Sequence, residues 1–143
     1  MATFTISKTD WACDETRLGI VRRAVFIDEQ GVAEALEWDE YDAVSTHWLA
    51  LAGDEGSPIG CARLRPDGHL GRMAVLSAWR GRGVGRALLD AVLHAARMRG
   101  ERVLRLSAQV HAARFYAHAG FVADGPVYEE AGILHVAMQK SLI

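Results

Sequence analysis

The chain has 143 residues, 50% of them hydrophobic and 24% charged, with a formal net charge of -2. That length suits a single domain, 1–143, with one substantial core, and the near-neutral balance argues against nucleic acid or a membrane surface as partners. Cys13 and Cys61 form no CxxC pair, so neither a disulfide framework nor a metal ribbon is expected; a reducing cytoplasm is the expected setting, with no leader in Met1 to Asp10 and no apolar run able to span a bilayer.

Thr3 to Ile6 alternates like a short strand. Asp14 to about Gln30 is a predicted helix with Leu18, Val21 and Val25 on one face, ended by Gly31. An acidic segment follows, in which Glu34, Glu37, Asp39, Glu40 and Asp42 interleave with Leu36, Trp38 and Tyr41. It reads as a loop with one helical turn, and a solvated face and a surface for a cationic substrate are equally open readings. Thr46–Ala52, Ile59–Leu64 and Leu70–Leu76 are strand candidates separated by turn-rich links, which predicts an antiparallel meander.

The helix from Val84 to about Arg99 is the clearest element, because Val84, Ala87, Leu88, Ala91, Val92 and Ala95 keep a helical period. Val103–Ser107 follows as a buried strand, and a right-handed βαβ crossover joins it to the strand before the helix. His111–Ala119 is a short helix closed by Gly120. Phe121-Val122 opens a strand reaching toward Tyr128, Glu129 to Gly132 is a turn, and Ile133–Gln139 is the last strand. The order predicts an α/β fold with a mixed, largely antiparallel central sheet flanked by helices.

The chemistry concentrates in Arg80-Gly81-Arg82-Gly83-Val84-Gly85-Arg86, where a strand turns into the clearest helix. Glycine permits unusual backbone angles and leaves N–H groups uncovered. The helix start adds orphan N–H groups and the positive end of its dipole, a combination that holds phosphate. A tight turn made only for packing is the plain alternative. A P-loop would need GxxxxGK(S/T), whereas Arg86 and Ala87 follow Gly85. A dinucleotide fingerprint would need a glycine at position 86 and would open its fold rather than follow three antiparallel strands.

Arg80-x-x-Gly83-x-Gly85 instead resembles the R/Q-x-x-G-x-G/A turn of the GNAT-type N-acetyltransferases. Arg72-Met73-Ala74-Val75 resembles the strand before that turn. Arg114-Phe115-Tyr116 with Ala119-Gly120-Phe121 resembles the family's later FY and GF signature. Val25-Phe26-Ile27-Asp28-Glu29-Gln30, with Asp39, Asp42, His47 and the closing Val127-Tyr128 and Gly132 to His135, is similar to the ElaA-like branch.

The resemblance implies acetyl-CoA as co-substrate, lying in an opening between the fourth and fifth strands. Backbone groups of Met73, Ala74 and Val75 would pair with the pantetheine arm, and one N–H would face the thioester oxygen. Amides of Gly81, Arg82, Gly83, Val84, Gly85 and Arg86 would hold the pyrophosphate, helped by Arg80, Arg82 or Arg86. Tyr116 falls on the family's general-acid position. Gln109 stands where many relatives carry an asparagine against the cofactor arm. Glu29 is the first candidate for general base, with His111 and His135 as alternatives.

The dispersed histidines form no ligand pair, and no metal is expected. The implied activity is transfer of an acetyl group to an amine of a small molecule or polypeptide by direct attack. A non-catalytic acyl-CoA sensor or regulatory module is the alternative. A homodimer through the last strand, read as an exposed edge, is compatible with the sequence.

Overall fold

Alternating residues of the central strands feed two separate apolar layers, which is why the sheet is covered on both faces. The computed structural model describes residues 3–143; Met1 and Ala2, part of the stretch read above for a leader, lie outside it. The strands are β1 (Phe4–Thr9), β2 (Thr46–Ala52), β3 (Ser57–Leu64), β4 (His69–Val75), β5 (Val103–Gln109), β6 (Val122–Ala123), β7 (Tyr128–Glu130) and β8 (Ile133–Ser141). The helices are α1 (Trp11–Arg22), α2 (Glu34–Glu37), α3 (Val84–Met98) and α4 (Ala113–His118). Strand order is β1-β2-β3-β4-β5-β8-β6, with β7 also paired to β8.

The meander is as expected: β1 through β4 pair antiparallel in succession. β4 and β5, joined through α3, pair in parallel. Trp48 and Ala50 of β2 pack in the layer under α3, while Leu49 between them packs in the layer under α1. Leu88, Leu89 and Val92 of α3 have no exposed surface, and each such side chain contributes about 1.5–3 kcal/mol when buried. No described helix is long and apolar enough to cross a membrane.

Several details differ from the sequence reading. The first helix starts at Trp11, where the Asp10 carboxylate accepts the Cys13 N–H at 2.8 Å, and it kinks at Asp14. From Arg23 to Glu29 it widens into a π-helical turn. The segment after Phe121 is two short strands rather than one. The tight turn is confined to Ala131 and Gly132, whose φ values of 53° and 78° are those of a two-residue hairpin link. The last strand is not an edge. β5 covers one side of β8, and β6 and β7 cover the other, so the last strand does not offer the free edge read for a second copy.

Candidate active site

Gly81 and Gly83 take φ values of 75° and 85°, a region costly for any residue with a Cβ. A Cβ built at either meets nothing within 4 Å, so the glycines answer to backbone conformation and leave the turn bare. No side chain caps α3, and among the described residues no backbone carbonyl accepts the N–H groups of Gly81 through Arg86. The first carbonyl–amide bond there is Ala87 N–H to Gly83 O at 3.0 Å. A row of free donors at the positive end of a helix dipole fits a pyrophosphate. Gly85 lies against the Phe115 ring, where a Cβ would sit 3.5 Å from its edge.

The three arginines divide. Arg82 lies over the Trp79 ring at 5.0 Å, and Arg86 pairs with Asp90 one turn on, at 3.0 Å. Both stay at the exposed rim of the turn. Arg80 turns away from it: its Nε donates to Val75 O at 3.0 Å, and its two terminal nitrogens hold both oxygens of Glu29 at 2.8 Å.

The sheet opens beside this turn. β4 and β5 pair only at His69 with Arg105 and Leu70 with Leu106. Just beyond, the register of β3 against β4 shifts, and Arg72 adopts a φ of 47°. This bulge inserts an extra residue and bends β4 away from β5. The edge of Met73, Ala74 and Val75 that faces β5 therefore lacks a strand partner. Strained non-glycine backbone is characteristic of such sites. The Arg72 guanidinium holds the bulge in place through Glu37 O at 3.0 Å and Asp39 Oδ2 at 3.2 Å.

Tyr116 reaches across the opening. Its hydroxyl donates to Met73 Sδ at 3.5 Å, and its ring meets Phe115 and Phe121 edge-on. Burial pushes the phenol up to about 12, so it remains a proton donor throughout the physiological range. Gln109, at the end of β5, exchanges two hydrogen bonds with Gln30 at 2.7 and 3.1 Å.

Glu29 does not present a free carboxylate. Its hydrogen bonds to Arg80, and then the guanidinium charge, hold it below the usual carboxylate range, which makes it a weak base. His111 lies near it on the exposed rim. His135 is buried under Tyr128, its Nδ1 bonded to Ile133 O at 2.7 Å, and the Tyr128 hydroxyl bonds Ser107.

The acidic segment is mostly turned inward: Glu37 and Asp42 are buried and Asp39 is half-buried, while Glu34 and Glu40 stay exposed. Arg22, 1% exposed, donates to Glu37 Oε2 at 2.8 Å and Asp42 Oδ1 at 2.6 Å, and its guanidinium lies against the rings of both Trp11 and Trp38. Arg63 binds Asp39 at 2.7 Å and Asp42 at 3.0 Å. With Arg72, three buried or half-buried arginines consume three carboxylates. Burial drives the Glu37 carboxyl up. For Asp42, burial acts in the same direction but is outweighed by the Arg22 hydrogen bond and charge, which bring it down. His47 Nε2 donates to Asp42 O, 2.8 Å away, and burial drives its imidazole down. Asp39 and Asp42, matched by arginines, and His47, kept neutral by burial, thus serve the frame behind the bulge.

Sequence reading missed two supporting residues. Gly60 on β3 leaves no room for a Cβ, which would lie 3.1 Å from Leu88, 3.2 Å from Ala74 O and 3.2 Å from Val84. Arg72 was read only as strand. Neither carries a local signal, since a strand glycine beside Cys61 and an arginine in an apolar run are each ambiguous alone. Two concave clefts lie elsewhere, one between α1 and Trp38 and one between β1 and α3.

A family model described as an acetyltransferase (GNAT) domain matches residues 12–142. The chain is 36% identical over 124 residues to the uncharacterized N-acetyltransferase YjcF of Bacillus subtilis, a span of 84% of this chain and 87% of that one. Among solved structures it resembles Escherichia coli ElaA with a TM-score of 0.84, at 26% identity over 97% of this chain and 100% of the other. It also resembles an acyl-CoA N-acyltransferase from Pseudomonas aeruginosa, with a TM-score of 0.82 at 29% identity over 97% and 100% of the two chains.

Proposed function

Since the chain belongs to the GNAT acetyltransferase family, we propose that it transfers the acetyl group of acetyl-CoA to an amine of a small molecule or polypeptide, by direct attack in a ternary complex. The observation that carries this reading is the conjunction of two bare edges. The uncapped amides of Gly81 to Arg86 meet the unpartnered edge of Met73 to Val75 at one corner of the sheet.

Each residue then has a task. The amides of Gly81 through Arg86 receive the pyrophosphate, with Arg82 and Arg86 screening its charge from the rim. Met73 and Ala74 pair with the amides of the pantetheine arm as a strand would, and a free N–H of this edge points to the thioester oxygen as negative charge grows there. Acetyl-CoA supplies an activated carbonyl, so the chain need form no covalent bond to the acetyl group. Tyr116, kept protonated by burial, donates to the departing thiolate. Arg80 acts indirectly: it ties Val75 O to Glu29 and so sets the width of the groove. With Glu29 neutralised by Arg80, the amine gives its proton to solvent at the open rim beside His111.

The test is a thermal melt with and without acetyl-CoA, repeated with Gly83→Asp. A ligand present at a hundred times its Kd adds about 2.7 kcal/mol, which for a chain of this size raises Tm by roughly 5–10 °C. Gly83→Asp places a side chain and an anion among the free donors and abolishes the shift. A wild-type protein that shows no shift, or a variant that keeps it, rules out this location for the cofactor. Mass spectrometry of an amine panel incubated with acetyl-CoA separates a transferase, which yields acetylated product, from a binder that yields none.

A further inference from the structure

The π-helical turn Arg23–Glu29 ends directly over the mouth of the splay, and its last residue and the one that caps it, Glu29 and Gln30, grip opposite arms of it. Glu29 reaches the β4 arm through Arg80, which itself binds Val75 O. Gln30 reaches the β5 arm at Gln109. The backbone there is firmly set: Gln30 N–H bonds Val25 O at 3.0 Å in π fashion, Val32 N–H bonds Phe26 O at 2.9 Å, and Gly31 turns the chain out at a φ of 73°. One extra residue in a helical turn rotates everything after it, and such turns recur at functional sites. Here the rotation brings two consecutive side chains onto the two arms.

We propose that Gln30 is a positioning residue for acyl transfer, acting through Gln109. The assignment rests on the reading of the splay as the acetyl-CoA groove. A primary carboxamide has two N–H donors and two lone pairs. In the reciprocal pair each amide spends one donor and one lone pair on the other, and each keeps one of each. Gln109 is thereby held in a single orientation with its second N–H and its second lone pair available at the groove. Alone, the long glutamine side chain would have to be ordered by the cofactor, at a cost in rotamer freedom. The clasp settles that orientation before binding, which is the ordinary route by which preorganisation raises affinity.

Calorimetric titration of acetyl-CoA into the wild-type protein, Gln30→Ala, Gln109→Ala and the double variant tests this. Loss of one oriented partner weakens binding about three- to tenfold. The expected result is that Gln30→Ala does so although it leaves Gln109 intact, and that it adds nothing when Gln109 is already alanine. An unchanged Kd for Gln30→Ala, or effects that simply add, overturns the proposal.

Gln30→Glu, of equal length, supplies a second readout. Ionised, it sets a carboxylate against Gln109 Oε1 and loses a bond; protonated, its O–H replaces the missing N–H. Its deficit relative to wild type, measured at each pH, therefore shrinks as pH falls toward the carboxyl range near about 4.3. A deficit independent of pH contradicts the clasp. The neighbouring charged groups, Glu29, Arg80 and His111, are common to both proteins, so their own titrations cancel in that comparison and their charges only move the pH at which the introduced carboxyl protonates. A wild-type protein that fails to bind acetyl-CoA at all overturns the assignment of the groove, and the clasp with it.

Discussion

Tyr116 and Glu29 show how strongly surroundings decide what a titratable side chain can do. The phenol is pushed up to about 12 by burial and has only a thioether as partner, so its proton is available for a leaving thiolate. Tyr116→Phe removes that donor while keeping the ring contacts with Phe115 and Phe121. The expected loss is about a hundredfold in kcat, with Tm nearly unchanged, read by steady-state kinetics beside a melt. A variant with full kcat takes Tyr116 out of the chemistry. Glu29 is the opposite case, a carboxylate already ionised and matched by Arg80. Glu29→Gln is expected to keep the acid limb of the pH–rate profile where wild type has it; displacement of that limb would restore Glu29 as the base. In the chain, Glu29 sits at the junction of helix and acidic segment. Its partner is 51 residues away, and no local pattern announces that.

Among the elements, the contact of β3 with the first turn of α3 fixes where the free amides point. Gly60 makes it possible, since its missing Cβ is the space that Val84 and Leu88 occupy. Gly60→Ala forces the helix outward at a cost of about 1–3 kcal/mol, as overpacking usually does. Because Val84 opens the helix, the same change weakens acetyl-CoA binding beyond what the lower Tm explains; titration calorimetry together with a melt checks both. The β4 bulge has a similar standing. Kinship implied the opening beside it, and the cause of the bulge lies in the cluster behind it, where Arg72 is drawn toward Glu37 and Asp39. The acidic segment, read as open to solvent or to cations, is the other half of that cluster. Its composition is the same in either setting, so only the arginines brought in from α1, β3 and β4 distinguish them.

For the molecule as a whole, the buried cluster ties stability to pH. Folded His47 takes up a proton less readily than its ordinary 6.5. Below about 6.5 the unfolded chain therefore binds more protons, and stability falls as pH is lowered through that interval. Asp42, held below its ordinary range, adds a further loss at lower pH, as folded carboxylate is lost. Glu37, raised by burial, works the other way: its contribution is present below its ordinary value and lost as pH rises through the raised one. His47→Gln keeps an N–H for Asp42 O and cannot charge. Its Tm should be flatter than wild type between about pH 6.5 and 5, measured by calorimetry across buffers; parallel curves would show that His47 is not the sensor.

Strand order in the meander, the long helix α3 and the glycine turn before it were all legible in the chain, because each is written locally. Alternation marks a strand, a 3.6 period marks a helix, and glycines at left-handed angles mark a turn that no other residue makes cheaply. Tyr116 was legible only through motif kinship, and its high pKa only through burial. What tertiary structure alone decided was the fate of charges and edges: Arg80 turned to Glu29, the acidic segment closed around Arg22 and Arg63, β8 enclosed by β5, β6 and β7, and Gln30 set against Gln109. These pairings join residues 15 to 79 positions apart. A side chain's partner at that distance is chosen by how the layers pack, and periodicity in the chain carries no record of it.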